Sequence, residues 1–133
     1  MVLLEFECIC TDHIIVVHFL NFTFTIYVVL IDKFYCILAC NAMETLLIHE
    51  DLMSGDIFND VCNMLKHEGV QIYSGPKLNQ KLTFGPPAAK SLRHEYGSLE
   101  CCIEIVKDLE DAINHIHTFG SGHTDVIVTE NGK

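Results

Sequence analysis

The stretch Cys40-Asn41-Ala42-Met43-Glu44-Thr45-Leu46-Leu47-Ile48-His49 separates two parts of the chain that have different sequence patterns. Within it, a cysteine and a short polar turn precede an apolar run, residues 45–48, whose composition favours a strand. This order is typical of a nucleophile held at the entrance to a buried strand, where backbone amides can face a developing oxyanion. The alternative is a buried structural cysteine, because free cysteine is among the most buried residue types.

The bulk composition limits the classes of function. The chain has 133 residues, the size of one ordinary domain, and its 8 Lys and Arg against 18 Asp and Glu give a net charge of −10. Such a charge repels phosphate backbones and anionic membrane surfaces, so the composition argues against nucleic-acid binding. The 7 cysteines show neither metal nor disulfide spacing and follow no cleavable signal pattern, which predicts free thiols in a reducing compartment.

Residues 1–38 hold most of the apolar excess, and we treat them as an apolar leader separate from the domain in residues 39–133. Residues 14–31 form an 18-residue stretch that is long enough to span a bilayer, but it is rich in β-branched and aromatic residues and lacks a basic flank. One hypothesis is therefore a weak membrane span. The other is untranslated sequence read in frame, because T-rich codons specify these residue types and residues 34–39 match a pyrimidine-rich splice acceptor tract.

From residue 39 onward the pattern predicts an α/β domain with a mostly parallel sheet, because short strands alternate with helices of ten to fourteen residues. The alternation over residues 99–106 is that of a half-buried strand, and residues 74–76 and 85–87 predict irregular structure. Asp51 or Ser54 is the expected cap of the first helix, and Asp108 of the second. The predicted strands are residues 45–49, 70–73, 99–106 and 124–129, and the predicted helices are residues 55–67 and 108–118.

One pair of histidines is expected to bind no metal, and one pair of cysteines is expected to form no disulfide. His115 and His117 are two residues apart, which separates them by about 200° around a helix, so they cannot bind one ion. Cys101 and Cys102 are adjacent on a strand and face opposite sides, which disfavours a disulfide. We therefore expect no metal site in this chain.

Three stretches of the sequence, in this order, resemble gamma-glutamyl phosphate reductase. They are residues 40–47, the sequence Leu92-Arg93-His94-Glu95-Tyr96-Gly97, and residues 115–125, which contain Ser121-Gly122-His123-Thr124-Asp125. This enzyme is the glutamate-5-semialdehyde dehydrogenase of the aldehyde dehydrogenase superfamily, and the chain looks most like its form in the bifunctional animal delta-1-pyrroline-5-carboxylate synthase. The resemblance covers about residues 39–130 and implies a partial aldehyde dehydrogenase catalytic domain.

The resemblance implies a reaction and a set of site residues. The reaction is the NADPH-dependent reduction of gamma-glutamyl phosphate to glutamate 5-semialdehyde in proline and ornithine biosynthesis, with Cys40 as the nucleophile and the backbone near Asn41 holding the oxyanion. Glu95 would accept hydrogen bonds from the nicotinamide ribose, the alternative being a solvated surface glutamate. His123 would supply a structural or substrate-side hydrogen bond.

The sequence also departs from the family. There, the segments that bind NADPH precede the cysteine, whereas here the apolar leader occupies that place. We therefore expect a fragment that is inactive alone, or else a non-catalytic module that associates with the full-length synthase. The family also implies a mitochondrial location, although no targeting peptide is visible in this sequence.

Overall fold

The structure is a computed structural model that describes residues 13–18, 43–122 and 124–129. Its strands are β1 (His13–His18), β2 (Met43–His49), β3 (Gln71–Ser74), β4 (Glu100–Val106) and β5 (Thr124–Thr129). Its α-helices are α1 (Asp56–His67), α2 (Pro76–Lys81) and α3 (Leu109–Phe119), and a 3-10 helix, Glu50–Ser54, follows β2. The side chains of β1, and those of β5 apart from Asp125, lie outside the description.

The strands form one sheet in the order β3-β4-β2-β1-β5, and every pairing in it is parallel. This confirms the predicted α/β class with a mostly parallel sheet. Strand β1 comes from the apolar leader and lies between β2 and β5, so these six residues are part of the sheet. The separate origin of residues 1–38 stays a prediction, and apart from β1 they lie outside the described residues.

Apolar side chains cover both faces of the sheet. The larger core lies between the sheet and α1 and includes Leu46, Leu65 and Ile103, which are fully buried. The smaller core lies under α3 and contains Leu47, Val106 and Ala112. A parallel sheet is normally covered on both faces in this way, because the connections between its strands must cross over the sheet.

The prediction that β4 is half-buried is wrong. Cys102 and Glu104, which the alternating pattern assigned to an exposed face, have only 1% and 2% of their surface exposed. The reason is that Cys102 and Glu104 lie on the side covered by α3 and by residues 91–98, while Cys101 and Ile103 belong to the larger core. The polar residue Glu104 is tolerated there because backbone N–H groups surround its carboxylate.

That same carboxylate explains why α2 was missed. Residues 74–76 were predicted as irregular, but Pro76 is at the first position of a short helix, where its fixed φ is favourable. The carboxylate of Glu104 accepts hydrogen bonds from the N–H groups of Lys77, at 3.1 Å, and Leu78, at 2.9 Å. These two donors have no partner within the helix, so the cap is supplied by a strand about 26 residues away.

The cap of α3 was predicted correctly and the cap of α1 was not. Asp108 Oδ1 accepts the N–H of Asp111 at 2.7 Å at the start of α3. Gly55 is the N-cap of α1 and offers no side-chain oxygen. Ser54 instead donates its hydroxyl to the carbonyl of Asp51 within the 3-10 helix.

Candidate functional site

The strands of the sheet begin at the same level along its amino-terminal edge. The predicted site residues precede strands that begin at this edge. His13 of β1 pairs with both Met43 of β2 and Thr124 of β5, and Gln71 of β3 pairs with Glu100 of β4. Strands β2 and β4 are also in register, with Thr45 opposite Cys102. All five strands therefore begin at the same level along one edge.

Along the chain, each candidate residue comes shortly before one of these strands. Cys40 and Asn41 precede the first residue of β2 by three and two positions, Glu95 precedes β4 by five, and His123 directly precedes β5. Cys40, Asn41 and His123 lie outside the described residues. Of the four predicted site residues, Glu95 is the one whose surroundings the structure describes.

Glu95 lies in an irregular segment, residues 91–98, which we call the Glu95 segment. Its side chain is exposed and lines a narrow cleft between this segment, the start of β2 and the end of α3. The cleft is partly open, and its volume of about 20 Å³ leaves room for little more than one water molecule, so a larger ligand would lie across its open mouth. The residues lining the cleft are Glu44, Thr45, Leu92, Arg93, His94, Glu95, Phe119, Gly120 and Ser121.

Tyr96, next to Glu95, anchors the Glu95 segment on the sheet. Its ring stacks on Tyr73 of β3, with the centroids 5.3 Å apart, and meets the edge of His94 at 4.8 Å. Burial raises the pKa of the Tyr96 hydroxyl, and the neighbouring thiols of Cys102 and Cys101 raise it further. Tyr96 is therefore a neutral packing residue at physiological pH.

Two further contacts hold the Glu95 segment, one through its backbone and one through a side chain. The carboxylate of Glu44, on β2, accepts a hydrogen bond from the N–H of Tyr96 at 2.8 Å. The guanidinium of Arg93 donates to the carbonyl of Thr118 in the last turn of α3, where a cation also compensates the helix dipole. The segment that carries Glu95 is thereby joined to the strand that follows Cys40 and to the helix that precedes His123.

Sequence reasoning did not single out Glu44, Arg93 or Tyr96 as residues that build the site. Glu44 and Arg93 are common surface residue types, and neither has a periodic pattern that would mark it. The one available signal was their place inside the stretches that resemble the reductase family.

The thiols that the structure describes are buried and unreactive. Burial raises the pKa of Cys62 to about 11 and that of Cys102 to about 12. Cys62, Cys101 and Cys102 form no disulfide with one another. None of these three thiols has the exposed, electropositive surroundings of a catalytic cysteine.

Within residues 13–18, 43–122 and 124–129, no group of three or more His, Cys, Asp or Glu side chains is arranged to hold a metal ion. Within the same ranges, no helix has the length and hydropathy needed to cross a membrane. A wider groove of about 450 Å³ lies between α1 and residues 82–87, and it includes none of the predicted site residues.

The fold and the site define a class of protein. The crystal structure of gamma-glutamyl phosphate reductase from Thermotoga maritima matches 94% of this chain with a TM-score of 0.81 and 28% identity. The chain corresponds to 30% of that reductase, so it has the fold of part of a gamma-glutamyl phosphate reductase.

The curated relatives are of two kinds. Delta-1-pyrroline-5-carboxylate synthase 1 from Oryza sativa subsp. japonica is 53% identical over 95 residues, which are 71% of this chain and 13% of the synthase. Gamma-glutamyl phosphate reductase from Pelotomaculum thermopropionicum is 34% identical over 94 residues, which are 71% of this chain and 21% of the reductase. No protein-family model matches the chain. About 71% of the chain is therefore homologous to a part of these synthases and reductases, which confirms the partial resemblance predicted from its motifs.

Proposed function

We propose that this chain carries part of the catalytic unit of a gamma-glutamyl phosphate reductase that acts in proline biosynthesis. The supporting observation is the 53% identity to a delta-1-pyrroline-5-carboxylate synthase over 95 residues, together with the fold of the Thermotoga maritima reductase. The chain spans about an eighth of that synthase and about a fifth of the Pelotomaculum reductase. We therefore propose, for the enzyme to which this chain would contribute, the reaction of the whole reductase.

In the proposed chemistry Cys40 is the nucleophile. Its thiolate attacks the carbonyl carbon of gamma-glutamyl phosphate, a carbon–sulfur bond forms, and phosphate leaves with the electron pair of the broken carbon–oxygen bond. Backbone N–H groups near Asn41 stabilise the negative charge that develops on the carbonyl oxygen. After reduction of the Cys40 thioester, the hemithioacetal on Cys40 expels the thiolate and releases glutamate 5-semialdehyde.

We propose that Glu95 takes part in binding a nucleotide. NADPH, when bound, supplies the hydride for the reduction. The carboxylate of Glu95 is exposed at the mouth of the cleft, and no hydrogen bond to it is recorded among residues 43–122. An ionised carboxylate is an acceptor-only group, so it is suited to the two hydroxyls of a ribose. Glu95 would hold the nicotinamide ribose, and His123 would supply a structural or substrate-side hydrogen bond.

We further propose that the 133-residue chain has no turnover by itself. It corresponds to 30% of the reductase of known structure, which leaves most of that enzyme without a counterpart here. We also propose a mitochondrial location for the chain, as the family implies.

Acetyl phosphate, a simple acyl phosphate, tests the nucleophile separately from turnover. We expect intact mass spectrometry to find one added acetyl group and peptide mapping to place it on the peptide that contains Cys40, with loss of this adduct in Cys40→Ser and its retention in Cys101→Ser. A parallel assay with NADPH and gamma-glutamyl phosphate should show no NADPH consumption. Absence of the adduct in the wild-type chain would contradict the role of Cys40, and NADPH consumption would contradict inactivity.

A second candidate function is a non-catalytic module that associates with the full-length synthase. It is favoured by apolar side chains on the surface, since Phe84 is 94% exposed and Leu109 is 59% exposed. Tagged chain and full-length synthase should then co-purify, and replacing Phe84 and Leu109 with Ser should abolish this. Association that survives both substitutions would show that these residues do not form the contact.

A further inference from the structure

The Glu95 segment has no regular structure of its own. Residues 91–98 contain neither helix nor strand, and part of their backbone is held within the segment, where the N–H groups of His94 and Arg93 donate to Ser91. The position of Glu95 depends on its neighbours, and the contact with another element that lies nearest to it along the chain is made by Tyr96.

The contact between Glu44 and Tyr96 is a charged hydrogen bond between distant parts of the chain. The carboxylate oxygen of Glu44 lies 2.8 Å from the backbone nitrogen of Tyr96, in partly buried surroundings, and the two residues are 52 positions apart. Hydrogen bonds to an ionised group are roughly twice as strong as those between neutral groups. The stacking of Tyr96 on Tyr73 holds the ring, whereas the bond from Glu44 holds the backbone directly beside Glu95.

The place of Glu44 along the chain gives this bond its significance. Glu44 is the second residue of β2 and follows Cys40 by four positions. Tyr96 follows Glu95 by one position. One hydrogen bond thus links the beginning of the strand that follows the proposed nucleophile to the residue beside the proposed ribose ligand.

We infer that Glu44 is a positioning residue that holds Glu95 in the orientation needed to accept the ribose hydroxyls of a nicotinamide nucleotide, an inference that rests on the proposed role of Glu95. The role needs a hydrogen-bond acceptor at this position, and the negative charge makes the bond stronger. Glu44→Gln keeps such an acceptor in its amide oxygen, and Glu44→Ala removes it.

The test measures binding of reduced nicotinamide mononucleotide to the full chain by NMR titration, at a temperature where every variant is folded. This probe contains the ribose that Glu95 would hold and lacks the adenosine half of NADPH. Amide hydrogen exchange of Tyr96 is measured on the same samples. The control is Glu110→Ala, which removes an exposed carboxylate from the first turn of α3.

We expect Glu44→Ala to weaken binding by about fivefold or more, as the loss of one hydrogen bond would, and to accelerate exchange of the Tyr96 amide. Glu44→Gln should weaken binding clearly less than Glu44→Ala, because a neutral acceptor remains although the charge is lost. Glu110→Ala should match the wild type in both measurements. Glu95→Ala should bind the probe more weakly than the wild type and Glu110→Ala.

The outcomes separate the two proposals. Wild-type affinity in Glu44→Ala, together with weakened binding in Glu95→Ala, would overturn the positioning role alone. Equal weakening in Glu44→Gln and Glu44→Ala would also overturn it, because the charge and not the acceptor would then matter. If the wild-type chain does not bind the probe, or Glu95→Ala binds it normally, the proposed role of Glu95 fails and the inference fails with it.

Discussion

The side chain of Glu104 packs closely against the backbone of Gly75. The carboxylate of Glu104, 2% exposed, accepts the N–H groups of Lys77, Leu78 and Ile105. A Cβ atom on Gly75 would lie 2.5 Å from Glu104 Oε2 and 3.0 Å from Glu104 Cβ. Glycine is required here because the carboxylate needs this space, since the φ of −68° at Gly75 suits any residue.

Gly75→Ala should therefore lower the free energy of unfolding by about 1–3 kcal/mol relative to a matched glycine, because the added methyl group displaces a carboxylate that holds three donors. The matched control is Gly55→Ala. Gly55 is also a helix N-cap with extended backbone, but the nearest atom to its new Cβ is 4.0 Å away. Urea denaturation measures the difference, and equal destabilisation by the two substitutions would contradict the steric explanation.

His115 is a second residue whose environment predicts a measurable effect. Its side chain is 6% exposed, its Nε2 has no hydrogen-bond partner among the described residues, and its ring packs on Phe119. Burial lowers the pKa of His115 and Lys77 lowers it further, while Glu104 and Asp111 act in the opposite direction. The imidazole is therefore buried in its neutral form.

The stability of the chain should depend on pH through this histidine. In the unfolded state His115 binds a proton near its ordinary pKa of about 6.5, whereas the folded state binds it only at lower pH. Its contribution to stability is thus complete above that pH and is lost as the pH falls, by at most about 1.4 kcal/mol per pH unit. His115→Leu removes this titration, so the free energy of unfolding measured in urea should change less between pH 7 and 5 than it does in the wild type. This is about the range where histidine ionises.

The control for this pH dependence is His117→Leu. His117 is on the same helix but is exposed, so its replacement should leave the pH dependence as in the wild type. A wild-type slope in the His115 variant would show that other groups cause the loss of stability.

At the scale of elements, an N-cap fixes where α3, the helix that covers β4, begins. Asp108 has extended backbone and its carboxylate accepts the N–H of Asp111 at 2.7 Å. Asp111 in turn forms an ion pair with Lys77 of α2, at 2.7 Å, which holds its pKa below the ordinary value. The ion pair is partly exposed, so its own contribution is small.

Asp108→Ala should therefore destabilise the chain by about 1 kcal/mol, the usual effect of removing an N-cap oxygen. Asp108→Ser should recover most of this loss, because serine also caps well. Thermal unfolding followed by circular dichroism measures both variants. Equal melting temperatures for the Ala and Ser variants would mean that the cap is not the source of the effect.

At the scale of the whole molecule, the fold buries the three thiols that the structure describes. Cys101 and Cys102 lie on opposite faces of β4 with 0% and 1% exposure, and Cys62, a residue of α1, is buried in the larger core. Burial raises the pKa of Cys62 to about 11 and that of Cys102 to about 12, so both remain protonated at neutral pH. A thiol activated for catalysis should react much faster than these.

Iodoacetamide at neutral pH should therefore label Cys40 before Cys62, Cys101 and Cys102 in the folded chain, because the thiolate is the reacting form. Peptide mapping by mass spectrometry gives the order, and in urea all four should react at similar rates. Equal or slower labelling of Cys40 in the folded chain would show that its surroundings are not those of an activated nucleophile.

From residue 43 onward, the sequence alone determined the α/β class, four strands, two of the three α-helices and the Asp108 cap, because periodicity and capping act over a few neighbouring residues. It also identified Cys40, Asn41, Glu95 and His123 as candidates, through motifs that resemble the reductase family. Only the tertiary structure decided that both faces of β4 are buried, that Glu104 caps α2, that β1 joins the sheet and that Glu44 bonds to Tyr96. Each of these depends on contacts between residues far apart in the chain, and a local pattern carries no information about which distant group will supply the partner.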